Sequence, residues 1–473
     1  MAVTRQIIST GKTLVLPLVL LSALSLGSSA WAQTDRLWDD GQNNNDNWGT
    51  SNNWNPNNRP TSTSERAVFA TNGLNTTSIE VNNNYSVGGL IFQSSLTDTL
   101  GFYNSGRTLT VDQYGIINQS ATTVTFDNKF KLNKNQTWEA SHGAGGGLVF
   151  NQALNLNSRD LTFNTANVSN SITIDGLISN NNGDLTKTGD GVLSLTNASN
   201  SFKGSITVND GTLSISSEGA LGSSSATNSL ILDGGTLRTE GSSVNIGSTD
   251  RSIVLGSSGG TIETVTNLTL SKTLSGSGAL IKTGAGSLTL TEGNTFTGGT
   301  TVNNGTLLLA TGGGTGVIRG DLTVNAGATV EATATDAFGY NGGAKVTNVT
   351  VNGGTIVNSI GSGNGNLGWA NTFTLSNGAT LSSNSGVSSD SAVSNFTLNA
   401  DSSINATAGT STIEGRMNLR GDSGLNVDMT VANGATLEVT AAITSSGGDT
   451  GFTKLGTGTL ALSGSNTFSG NVT

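Results

Sequence analysis

Side chains able to act on a substrate are sparse in this 473-residue chain. It has no Cys and a single His, His142, which excludes a thiolate nucleophile, a thiolate metal site and any site needing two imidazoles. A Ser-His-Asp hydrolase would have to pair His142, in the stretch ASHGAGGG, with Ser423 in Gly421-Asp422-Ser423-Gly424. Ser423 lies late in a repeated segment with no separate domain to position it, which argues against that pairing. Carboxylate and amide oxygens suit calcium, and Asp39-Asp40 with Asn43–Asn47, or Asp184 with Asp190, supply them. Neither the EF-hand loop nor the G-G-x-G-x-D nonapeptide occurs, so both groups read as solvated turns. Asp and Glu are nowhere gathered with Arg or Lys, and G-x-S-x-G, H-E-x-x-H and Walker sequences are absent. No catalytic residue, metal ligand or cofactor is assigned.

Two features have types suited to binding. Trp38, Trp48 and Trp54 stand among Asn and Asp, where indole faces could stack on sugars and the polar neighbours bond hydroxyls. The competing reading, which we adopt, is that they plug the open end of a repeated fold and cover unpaired strand edges. The tripeptides Arg319-Gly320-Asp321 and Arg420-Gly421-Asp422 resemble ligands of animal integrins. Asp321, however, directly precedes a Leu-Thr-Val strand and reads as an ordinary turn residue.

The elements that carry these residues are strands. Gly is abundant at 66 residues, Pro is rare at 3 and charge is low at 11%, a composition hostile to helix interiors and unlike ordinary disorder. After residue 33, runs of Thr, Val, Leu and Ile alternate with small polar residues and are divided by Asn, Gly, Ser and Asp. Three segments repeat: 187–213, 282–307 and 454–473, opened by Lys187, Lys282 and Lys454 and followed by Phe202, Phe296 and Phe468. A shorter unit, as in ITVNDGTL, places Gly211, Gly235, Gly305, Gly327, Gly354, Gly378 and Gly434 at equivalent corners, spaced in units of about 22–28 residues. That period predicts an all-β chain, a right-handed parallel β-helix of roughly 18 coils and on the order of 90 Å long. Leu193, Leu195, Val208, Leu213 and Ile215 should point inward, and Asn-Gly or Asp-Gly should supply the positive φ of the corners.

The first segment is for export. Arg5 and Lys12 precede an apolar run, Leu14–Leu26, and Ala30-Trp31-Ala32 is a small-x-small site, so 1–32 reads as a signal peptide cleaved between Ala32 and Gln33. No later stretch is apolar for long enough to span a bilayer as a helix. Losing Arg5 and Lys12 takes the net charge from −10 to −12, which excludes nucleic-acid binding by phosphate neutralisation. An exported chain without Cys suits one that must cross a second membrane unfolded.

The repeated residues carry a family likeness. Gly189/Gly191/Leu193/Leu195/Phe202/Gly204/Val208/Gly211/Leu213 and Gly284/Gly286/Leu288/Leu290/Phe296/Gly298/Val302/Gly305/Leu307 resemble the autotransporter-associated β-strand repeat. A third copy, Gly456/Gly458/Leu460/Leu462/Phe468/Gly470, is incomplete. The resemblance implies a β-helical passenger exported through the inner membrane and displayed at the cell surface, bound to the outer membrane or shed. It also implies an outer-membrane translocator barrel, whose strands this sequence does not contain. We expect residues 33–70 to form a Trp/Asn-rich cap, 71–184 degenerate coils and 185–473 coils with the family repeats. The expected role is adhesion, self-association or matrix, with surface polysaccharide, a host or neighbouring cell, or the chain itself as partner. The alternatives are a polysaccharide lyase or glycosidase on the same fold, and a fragment of an autotransporter whose barrel is missing.

Overall fold

Alternation of apolar and small polar residues gives strands whose every second side chain turns inward, and a chain of such strands must coil to bury that face. This is what a computed structural model of the chain shows. It describes residues 34–39, 46–70, 77–180, 182–224, 227–247, 250–340, 344–360, 371–383, 396–399, 402–421, 426–446 and 449–473. The expected signal segment and cleavage pair, Ala32 and Gln33, lie outside them. Contacts separate Met1–Gln33 from Thr34–Thr473, and the second unit is described below.

That unit is a parallel β-solenoid. Sheet I holds 15 strands and its main path ends at Leu274–Gly276, while sheet III holds 10, from Val244–Ile246 to Thr459–Leu462. Sheet II holds 17 strands, from Ser78–Glu80 to Phe452–Leu455. It is an open ladder: among the named strands Ser78–Glu80 pairs with Gly101–Tyr103 alone and Phe452–Leu455 with Val427–Val431 alone, with single bridges to Asn47 and Val472 on their outer sides. A short fourth sheet joins Phe396–Asn399, Arg416–Arg420 and Ala442–Ser446. Each turn contributes one strand to sheet II, so its 17 strands stand against the roughly 18 coils expected. Among the described strands every pairing is parallel except Thr34–Trp38 with Trp54–Asn55. Register in sheet I runs Leu161, Leu185, Ile206, Leu230, Ile253, Leu274, so these turns take 21 to 24 residues.

The core is a stack of like residues. Leu193, Leu195, Val208, Leu213 and Ile215 are buried, as their alternation requires. Between residues 69 and 163 the column is aromatic: Phe69 lies 4.9 Å from Phe92, Phe126 lies 4.9 Å from Phe150, and Trp138 lies 4.4 Å from Phe150. The two Phe–Phe distances match the spacing of adjacent strands, so those rings stack in step with the ladder, while Trp138 meets Phe150 across the core between sheets I and II. Farther on, Leu, Ile and Val replace them.

Corner glycines follow the expectation with one correction. Gly211, Gly305, Gly327, Gly378 and Gly434 have positive φ, but at the two Gly-Gly corners the positive φ belongs to Gly234 and Gly353. Gly235 and Gly354 are needed for closeness instead: a Cβ there would lie 2.4 Å from Val208 Cγ1 and 2.7 Å from Val324 Cγ1.

The repeat does not belong to one face. The lysine strand of the first copy, Leu185–Thr188, lies in sheet I, whereas those of the second and third, Leu280–Thr283 and Phe452–Leu455, lie in sheet II. The repeat therefore encodes a pair of strands and their corners, and it is set one face along between copies.

Candidate functional site

The residues singled out by type are mostly absorbed by the fold. Trp38, Trp48 and Trp54 are fully buried, meeting edge to face at 5.1 Å and 4.9 Å, with Trp54 Nε1 donating to the Trp48 carbonyl at 3.0 Å. They pack on Phe69 and end the aromatic column, so no indole face is open to a sugar. Asp321 is exposed, but its Oδ1 accepts from Thr347 Oγ1 at 2.7 Å and Asn348 Nδ2 at 2.8 Å on the next turn. These bonds hold its carboxyl below the usual range and commit it to its own scaffold. In the second tripeptide Arg420 and Gly421 are described and Asp422 is not.

Asp184 and Asp190 are not brought together. Asp184 enters sheet I, where its Oδ1 accepts from the Ser205 N–H, and Asp190 follows the far end of the same strand. Of Asp39-Asp40 and Asn43–Asn47, Asp40, Asn43, Asn44 and Asn45 lie outside the described residues, and Asn47 Oδ1 accepts from the Gly49 N–H. Among the described residues no three His, Asp or Glu side chains are placed to hold a metal ion. His142 Nδ1 accepts the Ala144 N–H at 3.1 Å, and Ser423 lies outside the described residues.

The lysines that open the repeats have a role the sequence reading left unassigned. Lys187 sits in an inward column between Phe163 and Val208, and Lys282 between Ile262 and Val302. Both are fully buried. Lys187 Nζ donates to the carbonyls of Thr188 (2.8 Å), Gly189 (2.5 Å) and, one turn on, Asp210 (3.2 Å). Lys282 Nζ does the same to Thr283, Gly284 and Asn304 at 2.8, 2.9 and 3.0 Å. Burial pulls both ammonium groups down to about 8, opposed at Lys187 by Asp210 and Asp190. At the opposite corner Asn294 Oδ1 accepts from the Leu274 N–H at 2.7 Å, and its Nδ2 donates to the Val317 carbonyl at 2.7 Å. Asn200 makes the same two links, to Ile178 and Ala220. Lysine and asparagine thus tie successive turns where the ladder is interrupted.

One groove lies apart from these contacts. Gln113, Tyr114, Ile117, Thr137, Glu139 and Asp160 line a concavity of about 500 Å³ on the outside of sheet I. One wall is a bulge: Val87 pairs with Val111 and Gly89 with Gly115, so Gly88 alone faces Asp112, Gln113 and Tyr114. The other wall comes from the next two turns, through the strands Gln136–Ala140 and Leu161–Thr165 and the residue before the latter, Asp160. Asp160 is already engaged, with Oδ2 accepting from Asn135 Nδ2 and Oδ1 from the Asp184 N–H. Glu139 Oε2 accepts from Asn164 Nδ2 at 3.2 Å. Nothing in the local sequence signals this groove, since its walls come from separate turns.

With this geometry in hand, three segments, 185–215, 280–309 and 452–473, match the passenger-associated-transport-repeat family. A stretch of 143 residues, 29% of the chain, is 36% identical to the Adhesin BmaC autotransporter of Brucella suis biovar 1 (strain 1330). The match spans only 4% of that adhesin's length. No solved structure matches the chain.

Proposed function

From a solenoid that carries autotransporter passenger-type repeats, we propose an exported, non-catalytic adhesive passenger that works at the cell surface or outside the cell. The observation that carries this reading is that the three matched repeats are turns of the solenoid, with Lys187 and Lys282 clamping the corners of the first two. Residues 1–32 supply the route through the inner membrane as a signal peptide cleaved after Ala32. Similarity to an autotransporter adhesin supports attachment as the role. The outer faces suit weak contacts made many times. Thr301, Thr323, Thr350 and Thr374 are in register on sheet II, and Thr306, Thr329, Thr355, Thr380 and Thr412 on sheet III. Hydroxyl rows one strand spacing apart offer repeated hydrogen bonds to polysaccharide, to a neighbouring cell or to a second copy.

Protease shaving of intact cells that make the chain tests this reading, followed by attachment assays with and without its gene. Removal of the chain from intact cells and weaker attachment of the deletion strain are expected. A chain inaccessible to protease on intact cells, or unchanged attachment, would defeat the proposal.

A second reading, a polysaccharide-active enzyme, draws on Glu139 and Asp160 lining one groove. Asp160 has both oxygens engaged by the scaffold, which suits a framework residue better than a proton donor. Release of reducing ends that disappears in Glu139→Gln would favour the enzyme.

A further inference from the structure

The groove beside Tyr114 lies at the register shift of sheet I, and an interruption of that kind forfeits strand pairing. Its construction is specific. A Cβ on Gly88 would lie 2.9 Å from Tyr114 Cδ2, and one on Gly89 would lie 2.7 Å from Tyr114 Cβ, so the ring rests on two glycines. Gly115, at φ +63°, returns the chain to the sheet, and any Cβ there would collide with the Thr137 carbonyl at 1.9 Å. Asp112 is buried beneath the bulge, where Oδ1 accepts the Gln113 N–H at 2.9 Å and Oδ2 takes the Asn133 amide. Arg66, paired with Asp35, stands over the Tyr114 ring at 5.9 Å and fixes its orientation.

We infer that this groove is a saccharide-binding site selective for neutral or amino-bearing sugars over hexuronates. The Tyr114 ring and Ile117 present apolar surface for the C–H face of a pyranose, and Gln113 and Thr137 present an amide and a hydroxyl for its O–H groups. The volume of about 500 Å³ lies within the usual range for small-molecule sites, roughly 300–1,000 Å³. Glu139 and Asp160 are the charged residues of the lining and both are acidic, so a uronate carboxylate meets like charge while an ammonium meets opposite charge. The inference deepens the adhesive reading, on which it rests only for its setting at the cell surface.

The test is titration calorimetry of the full chain with three probes of equal length: a neutral gluco-oligosaccharide, a glucosamine oligomer and a hexuronate oligomer. The neutral and amino probes should bind and the hexuronate should not. Tyr114→Ala should weaken binding by about tenfold or more. Because Tyr114→Ala removes a packed ring, Gln113→Ala at an exposed position serves as the second variant and should weaken binding by about threefold or more with the circular dichroism unchanged. Hexuronate binding as tight as the neutral probe, no binding by either favoured probe, or binding unaffected by both variants would each overturn the assignment. Cells carrying Tyr114→Ala that lose sugar binding but still attach would place adhesion elsewhere on the solenoid, leaving the passenger reading intact.

Discussion

A lysine in an apolar column is the residue on which the repeat turns. Lys187 and Lys282 leave water entirely, and three carbonyls around each ammonium offset part of that cost. Because burial depresses both from 10.5 to about 8, the unfolded chain holds these protons more tightly than the folded one. Resistance to urea should therefore rise with pH across the window from about 8 to 10. From about pH 10 the raised Tyr85 opposes this, because the unfolded phenol ionises first, and the rise should level off as the unfolded lysines lose their protons. Denaturation midpoints at a series of pH values check the rise and its levelling, and a flat profile would contradict them. Lys187→Ala should cost roughly 2–5 kcal/mol by leaving a cavity and unpaired carbonyls, while Lys187→Met should cost less and reduce the pH response to the share of Lys282. Counting by twos from Leu185 already places Lys187 inward, so its burial was legible in the sequence. Its partners were not, since the Asp210 carbonyl arrives from the following turn.

At the scale of elements, corners decide whether strands stay in step. Asn294 replaces two ladder bonds at once, so Asn294→Ala should destabilise the chain by about 1–3 kcal/mol, read from the urea midpoint at constant slope. Gly115→Ala should disrupt the bulge through both its φ and the Thr137 carbonyl, lowering the melting temperature and abolishing any ligand effect in the groove. A Gly327→Ala control, where a Cβ meets no atom within 4 Å, carries the positive-φ strain alone and should cost less. Strands were legible because their period is two, and the buried Leu193, Leu195 and Leu213 follow it. The bulge was not, because Asp112, Gln113 and Tyr114 continue a plausible strand until Gly88 alone is seen opposite them. The corner asparagines escaped for a related reason: Asn200 and Asn294 sit between strands, where no period marks a residue as buried.

Across the whole described unit, stability accrues turn upon turn, each strand meeting the ones before and after it. The repeat period made the solenoid legible. The face on which each repeat lands was not, because it depends on the sum of residues between copies, and Leu185–Thr188 falls in sheet I while Leu280–Thr283 falls in sheet II. Such a stack presents rows of hydroxyls in register, and rows bind through number more than through strength. The most direct test of a non-catalytic adhesive role is retention of beads carrying graded densities of the chain on a polysaccharide-coated surface under flow, with the coating weighed before and after. Retention that climbs more steeply than bead loading, over a coating of unchanged mass, is the expected result. A coating that loses mass, or beads retained no better than bare ones at any density, would contradict it.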